Sequence, residues 1–198
     1  MSEPQTGKYV TARILLVRHG RSAHVHDGRW MHSAGVRDFE SAYNAAGILD
    51  HDAPPPELIR VAGDAHVIAA SDLPRAIASA RRIAPARDPD VTPLLREFEL
   101  EPPRWMPRLP MQVWEVLSHV QWSYRLLRGG PYESITRAND AAEWLGQRAA
   151  DSATVVAVTH GGFRRLVASR LGARGWRAGP ERRSYANWSI WSYSRDGA

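Results

Sequence analysis

Ile14-Leu15-Leu16-Val17-Arg18-His19-Gly20-Arg21-Ser22 joins a wholly aliphatic run to a charged, glycine-containing turn. Its first four residues are aliphatic with no polar alternation, the pattern of a strand buried on both faces. An arginine, a histidine and a glycine follow at once. A buried strand ending this way puts charge and an imidazole at the carboxyl edge of a sheet, where open α/β sheets bind ligands. One histidine at one strand end reads as readily structural as functional. The weight therefore falls on whether the chain repeats the pattern.

Two further buried runs end similarly. His66-Val67-Ile68-Ala69-Ala70 leads into Ser71-Asp72-Leu73-Pro74-Arg75, and Ala153-Thr154-Val155-Val156-Ala157-Val158 leads into Thr159-His160-Gly161-Gly162. In a parallel sheet these ends share one edge, so two imidazoles and two guanidiniums from distant segments converge. Guanidinium forks match phosphate oxygens. Glycines let backbone N–H groups approach an anion, and a helix N-terminus adds partial positive charge. A neutral imidazole there can attack phosphorus. The departing alkoxide needs a proton from a carboxylic acid. Glu97, after Leu94-Leu95-Arg96, is the first candidate, with Glu99 and Glu101 as competitors.

Outward from these turns, the chain alternates strands and helices. The first strand is read over 12–18, and residues 23–38 as a loop near the site. A helix is expected over 39–45. Asp52-Ala53-Pro54-Pro55-Pro56 breaks structure, and a helix over 57–62 follows it. Ser71 or Asp72 is expected to cap a helix that runs to about Ile83. Val91 to Leu95 reads as a short edge strand. Helices are further expected over 111–127, 135–150 and 163–171, and an outer strand over 187–193. The alternation predicts a three-layer α/β/α sandwich around a mainly parallel sheet. Residues 98–130 break the pattern and read as a lid or insertion within a single domain over 1–198. Their tryptophans and arginines suit either a small lid core or a pocket for an aromatic or sugar group.

The 198 residues can bury a substantial core, and no apolar run is long enough to span a bilayer. With no cysteine, disulfides and Cys-ligated metals are excluded. Residues 1–6 lack the apolar stretch of a secretory signal, so a cytoplasmic location is expected. The net charge of +5 comes almost wholly from arginine. Those arginines alternate with acids and form no basic block, so a solvated surface and small anionic ligands are expected, with no nucleic-acid or membrane partner. His24, His26, Asp27 and His32 are read as loop residues facing a substrate, with no metal site. Tryptophans in the last strand are compatible with a homodimer.

The set Arg18-His19-Gly20, Ser71-Asp72-Leu73-Pro74-Arg75-Ala76, Leu95-Arg96-Glu97 and Thr159-His160-Gly161-Gly162 resembles the histidine phosphatase superfamily, also called phosphoglycerate-mutase-like. Tyr132-Glu133-Ser134 and Asn187 are weaker echoes. The resemblance implies that His19 becomes a phosphohistidine. It implies that Arg18, Arg75 and His160 stabilise the transferred phosphoryl group, and that Glu97 donates and later accepts the proton. Gly20, Arg21, Ser22 and Gly161 would line the phosphate site. No metal or organic cofactor is implied. The chain departs from the family at Arg21, where many members have an acidic or amide residue. It also departs at Val25, where many have asparagine, and at Leu100-Glu101-Pro102-Pro103-Arg104-Trp105 after the acid. The expected activity is hydrolysis of a small phosphomonoester. Mutase-type transfer and a weakly catalytic phosphate-binding module are the alternatives.

Overall fold

The computed structural model describes residues 11–25, 28–99, 102, 107–128, 130, 132–150 and 153–196. Its centre is a six-stranded sheet. β1 (Thr11–Arg18), β3 (Val67–Ser71), β4 (Asp90–Thr92), β6 (Thr154–Thr159), β7 (Arg177–Ala178) and β8 (Ile190–Asp196) form it in the order β4-β3-β6-β1-β8-β7. The first four strands in that order run parallel. β8 lies antiparallel to both β1 and β7.

The aliphatic runs occupy the middle of this sheet, where both faces are covered. Ile14 and Leu16 of β1 and Val155 and Ala157 of β6 face α5 (Tyr132–Arg148) and α6 (Phe163–Ala173). Leu15, Val17, Val156 and Val158 face α2 (Pro56–Gly63) and α3 (Pro74–Ile83). Side chains alternate across a strand, so an unbroken aliphatic run feeds both cores at once. Burying each branched side chain contributes about 1.5–3 kcal/mol. The expected three layers and mainly parallel sheet are present.

Several local expectations are corrected. Helix α1 spans Ser33–Ala45, so the last six residues of the expected 23–38 loop are helical. Ser33-Ala34-Gly35 carries no apolar period. Val36 is nevertheless fully buried with Met111 and Trp114, and that tertiary contact extends the helix backwards. β4 stops at Thr92 because Pro93 has no N–H to offer. Thr92 Oγ1 instead accepts from Leu94 N (3.2 Å) at the head of a 3-10 turn, Pro93–Leu95. Neither Ser71 nor Asp72 caps α3: its cap position is Leu73, without a side-chain bond. The last strand starts at Ile190 and is not outermost, since two residues of β7 cover its free edge.

Apart from the main sheet, β2 (Trp30–Met31) and β5 (Leu109–Pro110) form a small antiparallel ribbon. It leads into α4 (Met111–Leu127). Val36, Met111 and Trp114 are the fully enclosed residues there, and Trp114 Nε1 donates to the Met31 carbonyl (3.0 Å). Trp105 and Glu101 lie outside the described residues. Among the described residues, no helix is long and apolar enough to cross a membrane.

A core this thin depends on its one large ring. Trp114→Ala is expected to cost about 3–5 kcal/mol locally. Hydrogen exchange should then accelerate along α4 while β6 amides stay protected. Equal acceleration in both elements would show that α4 is integral to the main core.

Candidate active site

β1 and β6 pair in register to their last residues, Arg18 opposite Thr159. His19 N then donates to the Thr159 carbonyl (3.0 Å), which places the next residue of each strand side by side. The rings of His19 and His160 lie 5.0 Å apart between centroids, tilted by 57°. Both are almost fully buried. The convergence expected from the motifs is present.

The tautomer of His19 follows from its contacts. Nδ1 is 2.6 Å from the Gly20 carbonyl, an acceptor, so Nδ1 carries the hydrogen. Nε2 keeps its lone pair and faces Arg75 Nε at 3.3 Å. Burial, followed by the Arg75 guanidinium, pulls His19 from 6.5 down to about 3. Burial and then the neighbouring His19 hold His160 well below its ordinary value. Both imidazoles are therefore neutral at physiological pH. His160 Nε2 is 2.9 Å from Ser71 Oγ, and its Nδ1 is buried without a partner.

Arg75 sits at the start of α3. Its guanidinium donates to the Tyr43 carbonyl (2.9 Å) and Asn44 Oδ1 (3.1 Å), and lies 4.2 Å from the Tyr43 ring centroid. Burial lowers its pKa, while Tyr43 and Glu97 act the other way. Arg18 donates from one terminal nitrogen to the Tyr185 carbonyl, and its Nε is buried without a partner. Gly161 packs against that guanidinium: a Cβ there would stand 3.3 Å from Arg18 Nε.

Gly20 is required sterically. A Cβ would collide with the Trp188 indole and come within 2.7 Å of Asp52 Oδ2. Gly20 N donates to Ser79 Oγ (2.9 Å), Arg21 N to Asp52 Oδ2 (2.6 Å) and Trp188 Nε1 to the same oxygen (2.7 Å). Trp188 takes a φ of 62°, unusual for a bulky residue, and these contacts hold it there. The Arg21 side chain is largely exposed, with Nε 3.7 Å from Asp52 Oδ1. Ser22 is buried and accepts from His24 N (3.2 Å), which leaves its hydroxyl hydrogen free to donate.

Glu97 occupies an unforeseen position. Its Oε2 accepts from Gly162 N (3.0 Å), and its Oε1 accepts from Phe163 N (2.7 Å) and Phe98 N (3.2 Å). The carboxylate thus takes the amides at the head of α6 that the sequence reading gave to an anionic ligand. Arg96 fixes this segment with a two-point contact to Asp72 (2.9 and 2.6 Å). Glu99 also lines the cavity, whereas Glu101 is outside the described residues.

The site opens into a cavity of about 790 Å³. Arg18, His19, Arg21, Ser22, Arg75, Glu97 and Gly161 line it. Phe39, Met111 and Trp122 give it an apolar wall. Val25 sits at its rim, 70% exposed. His24 faces the cavity and packs on Phe39 with centroids 4.8 Å apart. His26 and Asp27 lie outside the described residues. Among the described residues, no three metal-ligating side chains gather.

The sequence reading gives no orienting role to Ser71, named there only as a possible helix cap, nor to Asp52, Ser79 and Asn44. It also missed Arg164, fully buried and pulled down to about 10 by burial first. Arg164 donates to the carbonyls of Ser184 (3.0 Å) and Ser189 (2.9 Å). That holds the loop whose Asn187 Nδ2 donates to the His19 carbonyl (2.9 Å).

The family model of the histidine phosphatase superfamily (branch 1) matches residues 14–198. No curated protein sequence matches the chain. Among solved structures, the chain is similar to a mutant phosphoserine phosphatase from Entamoeba histolytica in complex with phosphoserine. That match has TM-score 0.56 and 16% identity, over 94% of this chain and 95% of the other. An open reading frame product of Mycobacterium tuberculosis matches at TM-score 0.55 and 21% identity, over 94% and 95%. A mycobacterial glucosyl-3-phosphoglycerate phosphatase complexed with VO3 matches at TM-score 0.50 and 18% identity, over 89% and 85%.

The two neutral histidines make stability pH-dependent. His19 is uncharged when folded but takes up a proton below 6.5 when unfolded, so its contribution is full above 6.5 and is lost as pH falls towards 3. At pH 5 the loss is roughly 2 kcal/mol for this one residue. Urea unfolding at pH 7 and pH 5 should show the wild type losing more stability than His19→Gln by about that amount. The same loss in both would mean that His19 titrates normally in the folded protein.

Proposed function

The chain belongs to the histidine phosphatase superfamily, branch 1, and on that footing we propose that it hydrolyses a phosphomonoester of a small metabolite through a phosphohistidine. One observation carries the reading. His19 is neutral, its Nδ1 hydrogen is spent on the Gly20 carbonyl, and its Nε2 lone pair faces the Arg75 guanidinium at the floor of a cavity.

In the first step His19 Nε2 attacks phosphorus and the P–O bond to the alcohol breaks. Arg18, Arg75 and His160 surround the transferred group, and the two guanidiniums offset charge on its equatorial oxygens. Arg21, Ser22 and Gly161 line the rest of the phosphate cradle, where the Ser22 hydroxyl can donate, while Gly20, its N–H committed to Ser79 Oγ, shapes the turn from behind. Glu97 gives its proton to the departing alkoxide. In the second step Glu97 takes a proton from water, the resulting hydroxide attacks the phosphohistidine, and the N–P bond breaks to release phosphate.

The exposed rim at Val25 supports hydrolysis over retained transfer, because water reaches the mouth of the cavity there. Two of the similar structures are phosphatases, a phosphoserine phosphatase mutant in complex with phosphoserine and a glucosyl-3-phosphoglycerate phosphatase, which supports the reading. The proposal extends to a single domain over 1–198 with 98–130 as its lid. It places the protein in the cytoplasm, where it needs no cofactor.

With chelator present, the wild type should release phosphate from para-nitrophenyl phosphate, and an acid-labile, base-stable phosphoprotein should be trapped on rapid quenching. His19→Ala is expected to lose at least a thousandfold in kcat/KM and form no adduct. Retained turnover in that variant would remove His19 from the nucleophile's role. Glu97→Gln should slow alkyl phosphates far more than aryl phosphates, since only the poor leaving group needs a proton. An equal loss on both classes would reduce Glu97 to its contacts with the head of α6.

A further inference from the structure

Helix α4 is apolar on two opposite faces. Met111 and Trp114 are buried on one of them, and Trp122 on the same side lines the catalytic cavity. The other face is open to solvent. Val113, Val116, Val120, Tyr124 and Leu127 are exposed there, from 39% at Val113 to 88% at Leu127. These are five of the ten large apolar side chains exposed among the described residues. Single exposed hydrophobics are ordinary, but a contiguous stripe of them marks an interaction surface.

The order of residues along the stripe selects its occupant. The spacings are three, four, four and three, so all five side chains lie on one face and are placed symmetrically about Val120. The N-terminal half carries the small side chains, Val113 and Val116, and the C-terminal half the large ones, Tyr124 and Leu127. A second copy of α4 running antiparallel is therefore already complementary. Val113 meets the partner's Leu127, Val116 meets the partner's Tyr124, and Val120 meets the partner's Val120 on the two-fold axis. Small side chains stand opposite large ones, as close packing requires, and the contact is isologous, the form that closes a dimer. A parallel copy would set tyrosine on tyrosine and leave valine facing valine.

A lipid surface fits less well. Helices that lie on membranes carry many basic residues on the polar face. The 17 residues of α4 contain no lysine and one arginine, Arg125. The tryptophans at the start of the last strand give no competing dimer face, since Trp188 and Trp191 are both buried. The stripe spans about 21 Å of helix, and a standard interface buries about 800 Å² on each partner. The ribbon adds to it: β5 runs directly into α4 and pairs with β2, whose Trp30 is 60% exposed. Antiparallel packing carries that ring towards the C-terminal end of the partner helix, where Leu127 stands.

We infer that α4 is the interface of a two-fold symmetric homodimer, in which the helices of two copies of this chain pack antiparallel about Val120. The pairing is independent of the phosphatase reading. It sets the wall of one catalytic cavity back to back with that of the other.

Analytical ultracentrifugation across a concentration series should show the wild type at twice the monomer mass. Val120→Glu sets two carboxylates face to face on the axis and should weaken association at least a hundredfold. A monomeric wild type overturns the proposal, and so does a dimer that Val120→Glu leaves intact. The chain has no cysteine, so single cysteines report the register without background. With a short bismaleimide, Val120→Cys should cross-link to its own copy. Val113→Cys and Leu127→Cys should each stay uncross-linked alone and join when mixed. Cross-linking of Val113→Cys to itself would show parallel helices and overturn the arrangement. A monomeric wild type that sediments with anionic phosphatidylserine vesicles, and no longer does so as Val120→Glu, would assign the stripe to a membrane and overturn the dimer.

Discussion

The hydrogen bond from His19 N to the Thr159 carbonyl is the constraint on which the site depends. It extends the in-register pairing of β1 and β6 by one residue past the strands. Two parallel strands that stop level with each other must deliver their following side chains together. A one-residue slip would turn each aliphatic run over and separate the imidazoles. The cores on both faces forbid that slip, so packing far from the site fixes the distance between the two rings.

That arrangement imposes an electrostatic cost on the folded protein. Two imidazoles are buried beside guanidiniums that repel their charged forms, so both stay neutral. Arg18 Nε and His160 Nδ1 remain without partners in the interior. Unpaired buried donors are destabilising, and this group is tolerated because its neighbours hold it from behind. Ser71 fixes His160, Tyr43 and Asn44 fix Arg75, and the loop held by Arg164 fixes Arg18 and the His19 carbonyl. Donors fixed in advance need no reorganisation when charge develops on a transferred group.

The segment around α4 works on a different balance. Its enclosed core is small, its apolar residues are shared between packing and cavity walls, and its arginines are matched by acids. Arg18 and Arg75 line the catalytic cavity beside His19, whereas Glu97 and Glu99 line both it and a smaller cavity next to it.

The three strand-end turns, the convergence of Arg18, His19, Arg75 and His160, and the layered fold are all written in the amino-acid order. These are legible because each rests on a contiguous aliphatic run with a local motif, and parallel topology then brings the ends together. The early start of α1, the Glu97 contacts with the head of α6, the φ of Trp188 and the roles of Asp52, Ser71 and Arg164 were decided only by the tertiary structure. Each of these depends on a partner outside its own local motif. Asp52 and Trp188, for example, meet at 2.7 Å across most of the chain, and no local pattern encodes such a meeting. Hydrophobic periodicity specifies which face of an element is buried, whereas the identity of what it is buried against is settled only when the layers close.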